Sequence, residues 1–478
     1  AMRHLAYAEL LVFQTALAVH RTHVKRAPGF SFKAGQNVDR RIRRLFPFDF
    51  TDGQDRAVED IAEDMRTPHP MNRLLQGDVG CGKTVVAAYA MLAALAESSQ
   101  GYQVAMMAPT EVLAEQHYLT LESLLDKARV RTMLLTGGAA GNREEKLQRI
   151  AEGEVDIVVG THALIQSDVG FQRLALLVID EQHRFGVQQR LDLRKKGKRP
   201  DVLIMTATPI PRTLALACFG DMDVTTIREM PPGRKPVETT RLSPEQWDEA
   251  FAAARKELRN DNRVFVIYPL VEENEELDLT SATEGFDRLQ NEVFPDFDCC
   301  LMHGQMRPEA KHKAMEEFRT GRCQIMAATT VVEVGVDVPE ASVMIIRHAE
   351  RLGLSQLHQL RGRLARGNQQ GRCFLLSDPA TEQAAERLSV LTETNDGFRI
   401  AEADLRIRGP GRLFGTEQSG MPDFRCYDFS DIGVLEEARD DAFALVENDP
   451  RLEDASHDLL RKTVRDRYGE RLVLAGIG

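Results

Sequence analysis

The sequence predicts an α/β protein with two parallel-sheet domains in tandem, preceded by a helical segment and followed by an α-rich one. Three observations predict it. Short apolar runs alternate with helix-patterned stretches through two long blocks. A proline-rich break, Met230-Pro231-Pro232-Gly233-Arg234-Lys235-Pro236, separates the blocks. The chain has 478 residues, more than one core fills, since single cores stop growing near about 250–300 residues.

The elements follow in order. Residues 4–26 are helical by pattern: Leu10, Phe13 and Leu17 form an apolar stripe, with charge at the far end. From about Phe46 the βαβ rhythm begins. Arg73-Leu74-Leu75-Gln76 leads into a glycine-rich turn, and Val85–Leu95 reads as the helix after it. Further strands are expected at Val104–Ala108, Thr132–Leu135, Ile157–Val159, Leu176–Ile179 and Val202–Met205. After the break they recur at Val264–Tyr268, Asp298–Leu301, Cys323–Ala327, Ser342–Ile346 and Cys373–Leu376. Beyond about residue 390 the strands fade and the chain becomes polar, glycine-punctuated and then helical. The expected segments are 1–45, 46–232, 233–390 and 391–478.

Composition narrows the function classes. Apolar residues make up 43% and charged residues 28%, as in ordinary globular proteins. No apolar run reaches eighteen residues, so no membrane span is expected. No signal sequence opens the chain, and Ala1 before Met2 reads as an expression scar. The seven cysteines are scattered without a C-x-x-C, which points to reduced, buried side chains and a cytoplasmic protein. Net charge is −12, so a uniformly basic nucleic-acid binder is excluded, while contact along one groove is not. The basic clusters at 40–44 and 194–199 each read most simply as solvated surface.

Chemistry concentrates in a few places. Gly77-Asp78-Val79-Gly80-Cys81-Gly82-Lys83-Thr84 fits G-x-x-x-x-G-K-S/T between a strand and a helix. Gly77, Gly80 and Gly82 let backbone N–H groups wrap phosphates, and the helix turns its positive end towards them. Lys83 is expected on the β- and γ-phosphates and the Thr84 hydroxyl on Mg²⁺. Leu176-Leu177-Val178-Ile179 runs into Asp180-Glu181-Gln182-His183, at the strand end where α/β sheets bind ligands. Asp180 is the expected outer ligand of Mg²⁺ and Glu181 the base that orients the attacking water. Gln54, upstream, is a candidate reader of the adenine edge. ATP and Mg²⁺ are the implied cofactors.

With these residues in place, the chain resembles the RecG branched-DNA helicases of superfamily 2, from about Leu45 onward. The glycine loop matches, with Cys81 where serine is expected. So do Asp180-Glu181-Gln182-His183-Arg184-Phe185-Gly186-Val187, Met205-Thr206-Ala207-Thr208-Pro209, Ala328–Pro339 and Glu350–Arg363. The resemblance implies two RecA-like lobes. It makes Arg363 and Arg366 arginine fingers, with Ala365 replacing an expected glycine, and it brings Gly335 and Asp337 to the nucleotide. It assigns DNA-backbone contact to Thr110, Thr161, His162, Thr329 and Thr330. Residues 396–411 resemble a translocation motif whose working arginines are Arg406 and Arg408, although Arg412 and Glu417 stand where acid and base are expected. Too little chain precedes Arg44 for the family's wedge domain, so the sequence reads as a motor portion, and helix 4–26 as the connector that follows the wedge.

The implied function is an ATP-dependent helicase or double-stranded DNA translocase acting on stalled forks and recombination intermediates. DNA, duplex and branched, is the expected partner of a monomer. Two alternatives stand beside this: a nucleotide-gated DNA-binding fragment with little turnover, and the motor of a transcription-repair coupling factor. Gln182, Gly409-Pro410-Gly411 and Gln418–Pro422 lean away from the coupling factor.

Overall fold

The computed structural model describes residues 2–26, 28–32, 35–96, 101–137, 143–181, 196, 199–207, 209, 211, 222–269, 283–329, 338–364, 369–379, 381–408, 424, 426–427 and 431–474. They form two compact units: Ala1–Gly77, Gly82–Glu229 and Arg408–Gly478 in the first, Asp78–Cys81 and Met230–Ile407 in the second.

The first unit is built on a parallel sheet of β1 (Asn72–Gly77), β2 (Gln103–Met107), β3 (Thr132–Leu135), β4 (Ile157–Gly160), β5 (Leu174–Asp180), β6 (Asp201–Thr206) and β7 (Asp223–Ile227). Their order is β3-β4-β2-β5-β6-β1-β7. The central strands β2 and β5 are buried along their whole length, which is why they read as unbroken apolar runs. Leu74, Ala105, Val158, Leu177 and Ile204 meet in one core. β7 was invisible as a strand because it is an edge: Asp223-Val224-Thr225-Thr226-Ile227 is largely polar, and Val224 is exposed. Its Thr225 is nevertheless buried, donating to Asp60 at 2.6 Å and accepting from Arg73 at 2.6 Å.

Helical chain from both termini joins this unit. The helix Met2–Arg26 packs along Ile432–Asn448 and Asp458–Leu474. Its predicted stripe does the work: Leu10 meets Val434, Leu435 and Ala438, Phe13 meets Val464 and Tyr468, and Leu17 packs beside Phe13. Arg21 pairs with Asp223, tying the first helix to the exposed edge of the sheet. The segment expected at 391–478 is thus divided between the units, its helix Gly397–Arg408 ending at the boundary. Among the described residues, no helix is long and apolar enough to cross a membrane.

One buried acid in the first unit has a measurable signature. Asp201, at the start of β6, is fully buried and, among the described residues, accepts only the Met71 N–H, at 2.8 Å. Burial pushes its carboxyl well above the ordinary range. The folded state therefore keeps the proton after the unfolded chain has released it. Stability is full below the unfolded pKa and falls as pH rises towards the folded one. Asp201→Asn should melt on the order of 2–4 °C higher than the parent at pH 7.5 for each kcal/mol recovered, with the gap closing near pH 4. Equal melting temperatures at both pH values would show the carboxyl to be neutral in effect.

The second unit holds β8 (Glu238–Leu242), β9 (Arg263–Ile267), β10 (Cys299–Met302), β11 (Ile325–Ala328), β12 (Ala341–Ile346) and β13 (Arg372–Leu376). They are ordered β10-β11-β9-β12-β13-β8, all parallel. β8, the other unforeseen strand, is again a polar edge, Glu238-Thr239-Thr240-Arg241-Leu242. The cysteine reading needs correction here. Cys81 and Cys373 are buried and form no disulfide, but Cys300 is bonded to Cys323, with Cα atoms 6.1 Å apart. The adjacent parallel strands β10 and β11 bring Cys300 next to the turn that enters β11. Cys218 lies outside the described residues.

Candidate nucleotide site

β1 delivers the chain at Gly77 into the glycine loop, and the helix Lys83–Leu95 leaves it. Gly80 and Gly82 have φ of 81° and 91°, a conformation that costs side-chain-bearing residues about 1–2 kcal/mol. A Cβ at Gly82 would lie 2.1 Å from Gln54 Nε2, so the position is closed to alanine on two grounds. Lys83 is nine-tenths buried and donates from Nζ to the Gly77 carbonyl at 2.7 Å. Thr84 follows in the first helical turn and is partly exposed. Gln54 lies against the loop for a reason the sequence also contains. It is the third residue of a capping box, its Oε1 accepting from Thr51 N at 3.0 Å and its N–H donating to Thr51 Oγ1 at 3.3 Å.

The two carboxylates stand at the end of β5. In register, Asp180 faces Met205 on β6, and β6 faces β1, so Asp180, Thr206 and Gly77 share one edge of the sheet. Glu181 turns out of the strand with φ of 51°, a left-handed conformation rare for a side-chain-bearing residue. Its N–H donates to the Met205 carbonyl at 3.0 Å, and its Oε1 accepts from Ala207 N at 2.9 Å. Strain of this sort, fixed from two sides, is typical of functional positions. Asp180 is buried and accepts at Oδ2 from His117 Nε2, at 2.8 Å. Burial works to raise its pKa. The hydrogen bond from His117, the Lys83 charge and the Glu181 backbone N–H outweigh it, and the net is a carboxyl held below its ordinary value.

Sequence reasoning missed His117. The signal was present: Leu113, Ala114, His117, Leu121 and Leu125 form the buried stripe of the helix Glu111–Leu125, with a histidine in an apolar position.

In the second unit, Arg361 is the buried member of the arginine series. Its Nη1 donates to the carbonyls of Leu391 at 2.7 Å and Thr394 at 3.0 Å, and its Nη2 to His358 Nδ1 at 3.1 Å. Within the same unit, which takes in Asp78–Cys81, His358 Nε2 donates to Asp78 Oδ1 at 2.6 Å, and Gly397 N to Asp78 Oδ2 at 3.0 Å. Burial pulls the Arg361 guanidinium below its usual pKa, while the hydrogen bonds hold it in place. Arg361→Ala strands the buried Leu391 carbonyl and the partly buried Thr394 carbonyl and should cost the second unit about 2–3 kcal/mol. The chain's single tryptophan, Trp247, packs on Phe251 in this unit, so its fluorescence during urea unfolding reports the loss directly. An unshifted midpoint would remove Arg361 from the framework.

Arg363 follows the helix Leu354–Arg361 and is partly exposed. Arg366, Gly335, Asp337 and Thr330 lie outside the described residues. Of the residues expected to touch DNA, His162 and Arg406 are exposed, and Arg406 pairs with Glu386 at 3.1 Å. Thr110 caps the helix Glu111–Leu125, accepting from Leu113 N at 3.3 Å. Thr161 and Thr329 depart from expectation: both are buried, at 1% and 0% exposure, so neither hydroxyl is offered at the surface. Each sits where a fully buried strand, β4 or β11, hands over to its loop, and the core still covers the first residue. Arg408 ends the helix Gly397–Arg408; its side chain lies outside the described residues.

This layout matches known proteins along its length. Residues 51–216 match the model for DEAD/DEAH box helicases, 249–368 the helicase conserved C-terminal domain, and 394–473 the C-terminal part of domain 3 of ATP-dependent DNA helicase RecG. The ATP-dependent DNA helicase RecG of Bacillus subtilis is 47% identical over 464 residues, 96% of this chain and 68% of that protein. The chain belongs to the RecG family of ATP-dependent DNA helicases. The RecG of Thermotoga maritima is also 47% identical, over 92% of this chain and 56% of its own length. A structure of RecG bound to a three-way DNA junction superposes with a TM-score of 0.74 at 43% identity, covering 91% of this chain and 57% of that one. The chain thus spans between about half and two thirds of the length of these RecG relatives.

Proposed function

We propose that this chain is the ATP-driven motor of a RecG-type enzyme, hydrolysing ATP to move along duplex DNA and remodel branched DNA. The observation that carries this reading is the convergence of the Lys83 loop, Asp180 and Glu181 on one edge of the first sheet. Lys83 and the loop N–H groups bind the phosphates, and Gln54 contacts the adenine. Glu181, held by Ala207 N, orients the attacking water.

The residues suit Mg²⁺. Asp180 stays ionised although buried, and Thr84 offers a hydroxyl in the first turn of the loop helix. Among the described residues no cluster of three or more His, Cys, Asp or Glu forms a metal cage. Mg²⁺ characteristically takes one or two carboxylates, water and substrate phosphates instead. When bound, the ion neutralises charge that develops on the phosphates. Arg363 and Arg366 serve as arginine fingers, and Gly335 and Asp337 contact the nucleotide.

Thr110, Thr161, His162, Thr329 and Thr330 belong to loops that follow the DNA backbone. For Thr161 the backbone N–H, not the buried hydroxyl, makes that contact; the Thr329 N–H is given to the Met302 carbonyl at 3.1 Å, so in that loop the contact falls to Thr330. Arg406 and Arg408 act on duplex DNA from the translocation motif. The working form is a cytoplasmic monomer. ATPase rates measured with single-stranded, duplex and forked DNA test the reading. Forked and duplex DNA should stimulate turnover at low salt, and the stimulation should fade as salt rises. A rate indifferent to every DNA would replace the motor with a nucleotide-gated clamp.

A further inference from the structure

The helix Glu111–Leu125 begins at Thr110 and buries Leu113, Ala114, His117, Leu121 and Leu125. His117 is therefore fixed by its neighbours along an apolar face, and its ring cannot turn freely. Its Nε2 lies 2.8 Å from Asp180 Oδ2, with both side chains about nine-tenths buried. An ionised carboxylate only accepts hydrogen bonds, so Nε2 carries the proton.

We propose that His117 is a positioning residue for the metal-binding carboxylate: it holds Asp180 Oδ2 and so presents the other oxygen to Mg²⁺. The proposal rests on the reading of Asp180 as the outer ligand of Mg²⁺ given above. The geometry explains why a histidine stands in an otherwise apolar stripe. The Glu181 backbone N–H and the Lys83 charge also act on this carboxylate, and the hydrogen bond from a packed ring adds a fixed side-chain anchor at Oδ2. Partners of this kind typically contribute 10–100-fold to metal affinity.

The test uses the whole chain, with Mn²⁺ as the metal probe followed by electron paramagnetic resonance in the presence of ADP. A fluorescent ADP analogue is titrated in parallel in Mg²⁺ and in EDTA. His117→Leu should weaken Mn²⁺ binding about tenfold and leave nucleotide affinity in EDTA unchanged. His117→Gln, whose amide nitrogen reaches the Nε2 position, should recover most of the loss. His117→Asn, too short to reach, should behave like the leucine variant and replaces it if leucine prevents folding. Native Mn²⁺ affinity in His117→Leu or His117→Asn, or equal damage in His117→Gln, would overturn the proposal. Asp180→Asn separates the two layers. If it leaves Mn²⁺ binding intact, the assignment of Asp180 is wrong and this proposal falls with it. If it abolishes binding while the His117 variants bind normally, only the role of His117 is lost.

Discussion

Glu181→Gln should bind ATP with near-native affinity and hydrolyse it on the order of 10²–10³-fold more slowly. The substitution is close to isosteric. Glutamine keeps an Oε1 that accepts from Ala207 N, so the 2.9 Å hydrogen bond that aims the side chain survives. The left-handed backbone, with φ of 51°, is equally awkward for both residues, so stability should change by less than about 0.5 kcal/mol. What disappears is the carboxylate, and with it the ability to take up a proton from water. Steady-state turnover and equilibrium binding of a fluorescent ATP analogue, measured on one preparation, check the two halves together. Undiminished turnover would take the role of base away from Glu181. Weakened binding with normal turnover of what binds would move the residue to the nucleotide's grip.

Lys83→Ala should abolish both the grip and the chemistry. The Lys83 ammonium is nine-tenths buried, and its charge reaches Asp180. A charge-assisted contact to phosphate contributes about 1.5–3 kcal/mol, so nucleotide affinity should fall about 10–150-fold. Removal also leaves the Gly77 carbonyl without its 2.7 Å donor, a loss of about 1 kcal/mol from the first unit. Thermal unfolding distinguishes the two effects. The parent should gain about 2.7 kcal/mol at a nucleotide concentration 100 times its Kd, while the variant should gain only about 0.3–1.4 kcal/mol at that concentration. Lys83→Arg should not rescue, because a planar fork does not replace a compact ammonium inside a glycine loop. A normal nucleotide-induced shift in Lys83→Ala would exclude the loop as the phosphate site.

Much of this was legible before any coordinates. The glycine loop, Asp180 and Glu181 are contiguous motifs, and contiguity makes them readable. The ten strands placed by apolar pattern outside the loop motif are all present: eight lie inside a parallel sheet, buried on both faces, and the edge strands β3 and β10 are apolar enough to be read as well. β7 and β8 escaped because edge strands satisfy one side with solvent and carry threonine and charge. Thr161 and Thr329 were placed correctly at strand ends, but pattern alone does not tell a hydroxyl facing solvent from one facing the core. His117 and Arg361 escaped for a different reason. Their meaning lies in partners 63 and 30–33 residues away, which only folding brings together. The bond between Cys300 and Cys323 was hidden in the same way.

The packing of Met2–Arg26 against Ile432–Asn448 and Asp458–Leu474 bears on the order of assembly during translation. The apolar stripe that includes Leu10 and Phe13 leaves the ribosome well before the helices that cover it. Roughly four hundred residues, the sheet of the first unit and the whole of the second unit, are made in between. At about 5–20 residues per second, that stripe waits on the order of 20–80 s for its cover. A nascent chain arrested before Ile432 should therefore bind hydrophobic dyes and trigger factor-like holdases far more strongly than the released protein.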